Sequence, residues 1–273
     1  MTIIACTDFS HTAENAVQYA AAVAKLTGYR LILCHNYKIP LHASNSHLSA
    51  ESFQKMLDGA VKKLKNNADI LINEYAIEVI PEFSFADLEE QLVYLIEKYD
   101  ASILVAGMPV KSLEQDLIGN TTTSIIKNIN IPVLAVPAEA KFKGAGKIIF
   151  ACDNPKDIPQ DILQKVKDTT IGIGGELEIF NVEQEISQLK SENSPALATN
   201  AVDAHLQGIN YYYKNVRSNA VIDAIKKEVI ESGADMLIMV PKQYGFWSSL
   251  VHRSKTRLMA SGLNIPLLSI PKI

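Results

Sequence analysis

The chain has 273 residues, 48% of them hydrophobic, which is enough to bury one large domain or two of ordinary size. A net charge of -4 gives no pull toward nucleic acid or an anionic membrane, and three scattered cysteines, Cys6, Cys34 and Cys152, are too few for a disulfide framework. The first residues carry no basic n-region and no apolar run reaches the ~18 residues that span a bilayer, so a soluble, cytoplasmic protein is expected.

Residues 2–7 are apolar without alternation, as in a central parallel strand buried on both faces. Asp8, Ser10 and Thr12 then offer helix caps. Ala13, Val17, Ala20, Ala21 and Ala24 recur at helical spacing, and Gly28 ends the helix. Residues 30–35 read as a second strand and 38–49 as a polar excursion. The stretch 50–75 is a helix with a stripe from Phe53 to Leu71, its lysines forming a solvated face. A third strand over 77–83 contains Pro81, which places it near a strand end or on a sheet edge. A helix over 85–98, a strand over 103–106, a helix within 117–129 and a strand over 133–136 complete a β-α-β-α-β-α-β-α-β order. That order implies a parallel sheet with helices on both faces.

After a short flexible joint at 138–146 the pattern restarts. Strands are expected over 147–152, 177–181, 209–213, 236–240 and 267–270. Helices are expected from 158 to about 168, over 201–206 and over 217–231, with a polar excursion at 182–200. Asp153 falls where Asp8 was, Ala234 answers Ala101 and Pro266 answers Pro132. The chain therefore reads as two similar α/β units, 1–140 and 146–273. In each unit the last third runs strand, loop, helix, strand. A loop that re-enters a helix through glycine and hydroxyl residues is a phosphate-binding design.

These repeats resemble the universal stress protein family in its tandem, two-domain form. The resemblance rests on the strands closing on Thr7-Asp8 and Cys152-Asp153, on a second strand ending in His35, and on the endings Ile131-Pro-Val-Leu-Ala-Val-Pro137 and Ile265-Pro-Leu-Leu-Ser-Ile-Pro271. It implies two doubly wound, mainly parallel five-stranded sheets of the adenine-nucleotide alpha-hydrolase-like class. It also implies an internal pseudo-dimer of the two halves, with a homodimer as a further option. Some members of the family bind ATP, a few hydrolyse it slowly, and others bind no nucleotide.

The family's nucleotide-binding members carry a glycine, two residues, a glycine, nine residues, then a glycine followed by serine or threonine. Here Gly107 takes the first position and Met108 follows it, but Val110 stands at the second. Gly119-Asn120-Thr121-Thr122 matches the end of the motif one residue early, and Lys111 adds a cation. Such a helix start presents free N–H groups and hydroxyls to an anion, although capping by Asn120 or Thr121 would select the same residues. In the second half Val240 and Arg253 replace the glycines, while Ser254 and Thr256 remain. Arg253 and Lys255 could hold an anion as charges; Phe246 and Trp247 could cover the pocket or pack between domains.

Asp8 and Asp153 end first strands at the edge where open α/β sheets bind ligands. In the resembling family the aspartate there contacts the adenosine portion; an Asx turn alone would also select aspartate. The expected cofactor is ATP, with or without Mg. The candidate residues are Asp8, Gly107, Met108, Gly119, Asn120, Thr121 and Thr122, with a reduced set of Asp153, Arg253, Ser254 and Thr256.

Other signals carry little. Gly144-Ala-Gly-Lys147 precedes a strand and has no hydroxyl after its lysine, so it is no phosphate loop. His42 and His47 lack a third metal ligand. Asp8, Ser10 and His11 lie too close in sequence to converge as a triad. His35 and the run Tyr211-Tyr-Tyr213 read as structural, and Cys6 and Cys152 as buried thiols. Three readings follow. One is a regulatory stress-response protein binding an adenine nucleotide, with at most weak hydrolysis. The second is a protein-interaction module with closed clefts. The third is an enzyme on a small anionic or adenylated substrate, for which no catalytic constellation is visible.

Overall fold

A computed structural model of the chain describes residues 1–38, 49–108, 120–144, 146–152, 154–155, 158–183, 199–240 and 264–272. The chain divides into two compact units, one holding Met1–Met108 with Thr121–Glu139 and the other running from Ala140 onward.

In the first unit β1 (Thr2–Cys6), β2 (Arg30–Asn36), β3 (Val79–Ser84), β4 (Ala101–Met108) and β5 (Val133–Pro137) form a parallel sheet in the order β3-β2-β1-β4-β5. The order reverses between β1 and β4, which makes their carboxyl ends the switch point. Pro81 sits opposite Leu33 in β3, the outer strand, where a missing N–H costs no ladder bond on the far side.

Helix α1 (His11–Thr27) starts at Ser10, whose hydroxyl accepts from Ala13 N at 3.3 Å, and stops at Gly28 in the left-handed region, φ 72°. Its buried face is Ala13, Ala16, Val17, Ala20, Ala21 and Ala24. These small side chains let its backbone come close to β4, which it packs against along with β1 and β5. Helix α2 (Ala50–Tyr75) is capped by Ser49 and buries Leu64, Ala68 and Leu71, while Lys55, Lys62, Lys63 and Lys65 stay exposed. Helices α3 (Leu88–Tyr99) and α4 (Asn120–Asn128) bring Leu92, Leu95 and Ile125 into a core with Ile4, Ile32 and Leu104 of the strands. Helix α3 begins three residues later than the periodicity predicts. The Asp87 carboxylate caps it by accepting from Glu89 N at 2.9 Å, leaving Phe85 outside the helix.

The second unit repeats the plan. Strands β6 (Lys147–Cys152), β7 (Glu176–Glu183), β8 (Tyr211–Arg217), β9 (Met236–Met239) and β10 (Leu267–Ser269) are parallel in the order β10-β9-β6-β7-β8. Helices α5 (Gln160–Ile173), α6 (Thr199–His205) and α7 (Val221–Ser232) accompany them among the described residues. Two strands and one helix outrun the sequence reading. Pairing of Asn215, Val216 and Arg217 with Asn181, Val182 and Glu183 lengthens both β7 and β8, so Arg217 belongs to a strand and not to the next helix. Helix α5 continues to Ile173, whose burial with Ile162, Leu163, Val166 and Thr170 extends the stripe by a turn, and the Thr169 and Thr170 hydroxyls are satisfied inside the helix by donating to Lys165 O and Val166 O, each at 2.8 Å. Gly174, φ 75°, then ends it.

The tyrosine run alternates faces as a strand must. Tyr211 and Tyr213 donate to Asp203 Oδ1, while Tyr212 donates to Glu178 Oε2. Cys34 is buried, but Cys6 and Cys152, read as buried from their apolar neighbours, are only half-buried at the strand ends. Among the described residues no helix is long and apolar enough to cross a membrane, and no group of three His, Cys, Asp or Glu could hold a metal.

Candidate functional site

The carboxyl end of β1 is fixed by a local network. Thr7 N donates to Cys34 O at 2.9 Å, and the Thr7 hydroxyl donates to Glu14 Oε1 at 2.8 Å. Asn67 of α2 reaches the same carboxylate, 3.1 Å from Oε2, so β1, α1 and α2 meet on Glu14. The next two residues form a tight bend. Phe9 N donates to Thr7 Oγ1, and Ser10 N donates to Asp8 Oδ1, each at 2.9 Å. The second bond is the Asx turn that the sequence offers as the ordinary reason for aspartate here.

Phe9 has φ 61°, a left-handed conformation that is costly for a bulky residue and concentrates at functional bends. Its ring is clamped: the His35 ring lies 4.4 Å away centre to centre, and Lys63 Nζ stands 4.2 Å over its face. His35 is structural, as expected. Its Nδ1 lies 2.7 Å from Thr7 O, which can only accept, so Nδ1 carries the proton. Tyr37 and Phe83 extend the aromatic cluster from the ends of β2 and β3. Sequence reasoning missed Phe9 and Lys63. Neither a lone phenylalanine after an aspartate nor one lysine in a lysine-rich face carries a signal at that level.

Gly107 lies within a strand, since β4 continues through Met108. A Cβ there would lie 2.8 Å from Thr12 O and 3.0 Å from Thr12 C, inside contact with the α1 backbone. The glycine thus admits the start of α1 against β4 at the switch point. Its carbonyl accepts from Thr122 Oγ1 at 2.9 Å, which ties the first turn of α4 to the strand. Thr122 is buried with its hydroxyl committed, whereas Thr121 is exposed. Met108 is buried opposite Pro137, whose carbonyl accepts from the Asn15 amide at 2.9 Å, so Met108 serves the core. Asn120 is the first residue of α4; its side chain and Gly119 lie outside the described residues, as do Val110 and Lys111.

The structure therefore gathers Asp8, Gly107, Thr121 and Thr122 around the carboxyl ends of adjacent strands β1 and β4. Asp8 is exposed, and the described residues give its carboxylate no partner beyond Ser10 N. Asp153, Arg253, Ser254 and Thr256 of the second unit all lie outside the described residues, as do Phe246 and Trp247 and, in the first unit, His42 and His47.

A doubly wound parallel sheet whose order reverses between β1 and β4 is an open α/β architecture, and open α/β sheets as a class bind ligands outside the carboxyl ends of the strands at such a switch point. The chain is a universal stress protein: the sequence model of the Universal stress protein family matches residues 1–137. The Universal stress protein MJ0577 of Methanocaldococcus jannaschii is 26% identical over 153 residues, covering 48% of this chain and 90% of that protein. The crystal structure of a universal stress protein from Archaeoglobus fulgidus matches 99% of this chain and 96% of its own, with a TM-score of 0.67 at 15% identity. A functionally unknown protein, PA1789 of Pseudomonas aeruginosa PAO1, matches 99% of this chain and 92% of its own, with a TM-score of 0.59 at 12% identity. The last two likenesses concern the fold across both units.

Proposed function

We propose that the first unit binds an adenine nucleotide, ATP, and that the protein acts as a regulatory nucleotide sensor and not as a dedicated enzyme. The observation that carries this reading is the exposed Asp8 carboxylate at the switch point, beside β4 and the hydroxyl-bearing start of α4. Asp8 accepts from the ribose hydroxyls with the carboxylate oxygen that its Asx turn leaves over. The phosphates lie toward the N-terminus of α4, where Thr121 and the first N–H groups of the helix meet an anion. Mg, if carried, arrives with the phosphates. Gly107 and Thr122 act indirectly, by fixing α1 and α4 against β4. The family's nucleotide-binding members carry their glycine motif in this same segment.

A second reading has its own support. The close approach of α1 to Gly107 and the commitment of the Thr122 hydroxyl fill part of the crevice, as an interaction module with a closed cleft requires. Mass spectrometry of the purified full chain separates the two. ATP released on denaturation, with a thermal shift on adding millimolar ATP, supports the sensor. No released nucleotide and no shift overturn it in favour of the interaction module.

A further inference from the structure

The sheet of the first unit sets two cysteines side by side. Strands β1 and β2 run parallel with Cys6 directly opposite Cys34. Two residues earlier Ile4 stands opposite Ile32, so both thiols leave the same face of the sheet. On that face Cys34 belongs to the core with Ile4, Ile32 and Leu92, and Cys6 packs against it. Neighbouring strands lie about 4.8 Å apart, inside the roughly 4.4–6.8 Å between Cα atoms that a disulfide spans. A hydrogen bond already joins the two side chains.

The two thiols differ in access. Cys6 ends β1 half-buried, whereas Cys34 is 1% exposed. The hydrogen bond to Cys6, then burial and the nearby Glu82 carboxylate, hold the Cys34 pKa well above the ordinary thiol value. The thiolate is the form that reacts with oxidants, so Cys34 is slow to react by itself. Cys6 is the thiol that a small oxidant reaches, and Cys34 is the one placed to answer it. The second unit does not repeat the arrangement. Cys152 stands in β6 where Cys6 stands in β1, but its register partner is Asn181.

We propose that Cys6 and Cys34 are a peroxide-oxidisable pair that closes to a disulfide between β1 and β2. The Cys6 thiolate attacks one oxygen of hydrogen peroxide. The O–O bond breaks, Cys6 becomes a sulfenic acid, and the other oxygen leaves as hydroxide and is protonated to water. The Cys34 sulfur then attacks the sulfenic sulfur, and its proton leaves with the displaced hydroxyl as a second water. The two thiols give up two electrons in all, and one peroxide is reduced. The new bond lies directly before Thr7 and His35. There Thr7 N donates to Cys34 O, and His35 Nδ1 donates to Thr7 O. Drawing the sulfurs together shifts these contacts and the His35 ring that packs on Phe9. The pair does not depend on the nucleotide reading.

The test treats the native full chain with a small excess of hydrogen peroxide, blocks remaining thiols with N-ethylmaleimide under denaturing conditions, and maps tryptic peptides by mass spectrometry. The expected product is one disulfide joining the peptides of residues 1–25 and 31–38, lighter by two hydrogens and reversed by dithiothreitol. Cys6→Ser should slow the oxidation of Cys34 by about tenfold or more, since the buried thiol then meets peroxide alone. Cys34→Ala should leave Cys6 as a sulfenic acid that dimedone traps, and Cys152→Ser should leave the cross-link unchanged. The His35 ring resonances should move on oxidation of the parent and return on reduction. Cys6 carried to sulfinic acid in the parent with no cross-link overturns the proposal, as does a disulfide to Cys152 or to a second chain. Two unreacted thiols, or a cross-link with the His35 resonances unmoved, also contradict it. The parent alone decides the first three outcomes, so the test stands even if Cys34→Ala does not fold.

Discussion

Gly107→Ala is expected to destabilise the first unit by about 1–3 kcal/mol, the usual cost of forcing an extra carbon into a closed contact. The added Cβ would meet Thr12 O at 2.8 Å and Thr12 C at 3.0 Å, and these are backbone atoms that cannot rotate away. The alanine-rich face of α1 leaves no long side chain to give way, so the helix itself must lift from β4. That shift would carry Ser10 and the bend at Asp8 with it and loosen the Thr122 bond to Gly107 O. Chemical denaturation should show the midpoint fall, and ATP affinity should fall with it. A variant as stable as the parent would mean that Gly107 serves only a ligand and that α1 tolerates a side chain there.

Asp8→Ala and Asp8→Asn should separate the two roles that this residue combines. Alanine removes both the Asx turn and the charge. It should cost about 1 kcal/mol of stability, because the left-handed Phe9 loses the Ser10 N bond that helps hold it. ATP affinity should drop about ten- to a hundredfold, the loss of hydrogen bonds to a charged acceptor. Asparagine keeps an oxygen for Ser10 N, so stability should stay near the parent's while affinity still falls. Equal ATP affinity in all three proteins would assign Asp8 to the turn alone. The measurements are a denaturant midpoint and a calorimetric titration for each variant.

Much of the fold is legible in the sequence because its signals are local and redundant. Continuous apolar runs give the buried parallel strands, and Gly28 marks a helix end through its left-handed backbone. Pro81 gives the sheet edge, and the repetition of Asp8 by Asp153 and Pro132 by Pro266 gives the tandem plan. Boundaries slip where a tertiary choice decides them. The Asp87 cap shortens α3, and cross-strand pairing carries β8 to Arg217.

The site is legible in position and less so in role. Asp8 and the start of α4 stand where the pattern puts them. Gly107, however, faces the α1 backbone, and that contact joins residues 95 positions apart in sequence, Thr12 and Gly107. No local spacing announces such an approach. The clamp of Lys63 and His35 on Phe9 is hidden for the same reason, since it joins three separate elements. The burial of Glu178 is hidden too: residues 177–181 read simply as a strand, whereas the Glu178 side chain is fully buried and held by Tyr212 and Lys147 from the flanking strands.

The nucleotide reading makes binding asymmetric: the first unit binds, and the second, with Val240 and Arg253 in place of the motif glycines, does not. Calorimetric titration of the nucleotide-stripped full chain with ATP measures it most directly. A single saturable site per chain, abolished or weakened at least tenfold by Asp8→Ala and unchanged by Asp153→Ala, is the predicted result. No binding, two equivalent sites per chain, or a single site that responds to Asp153 and not to Asp8 would contradict it.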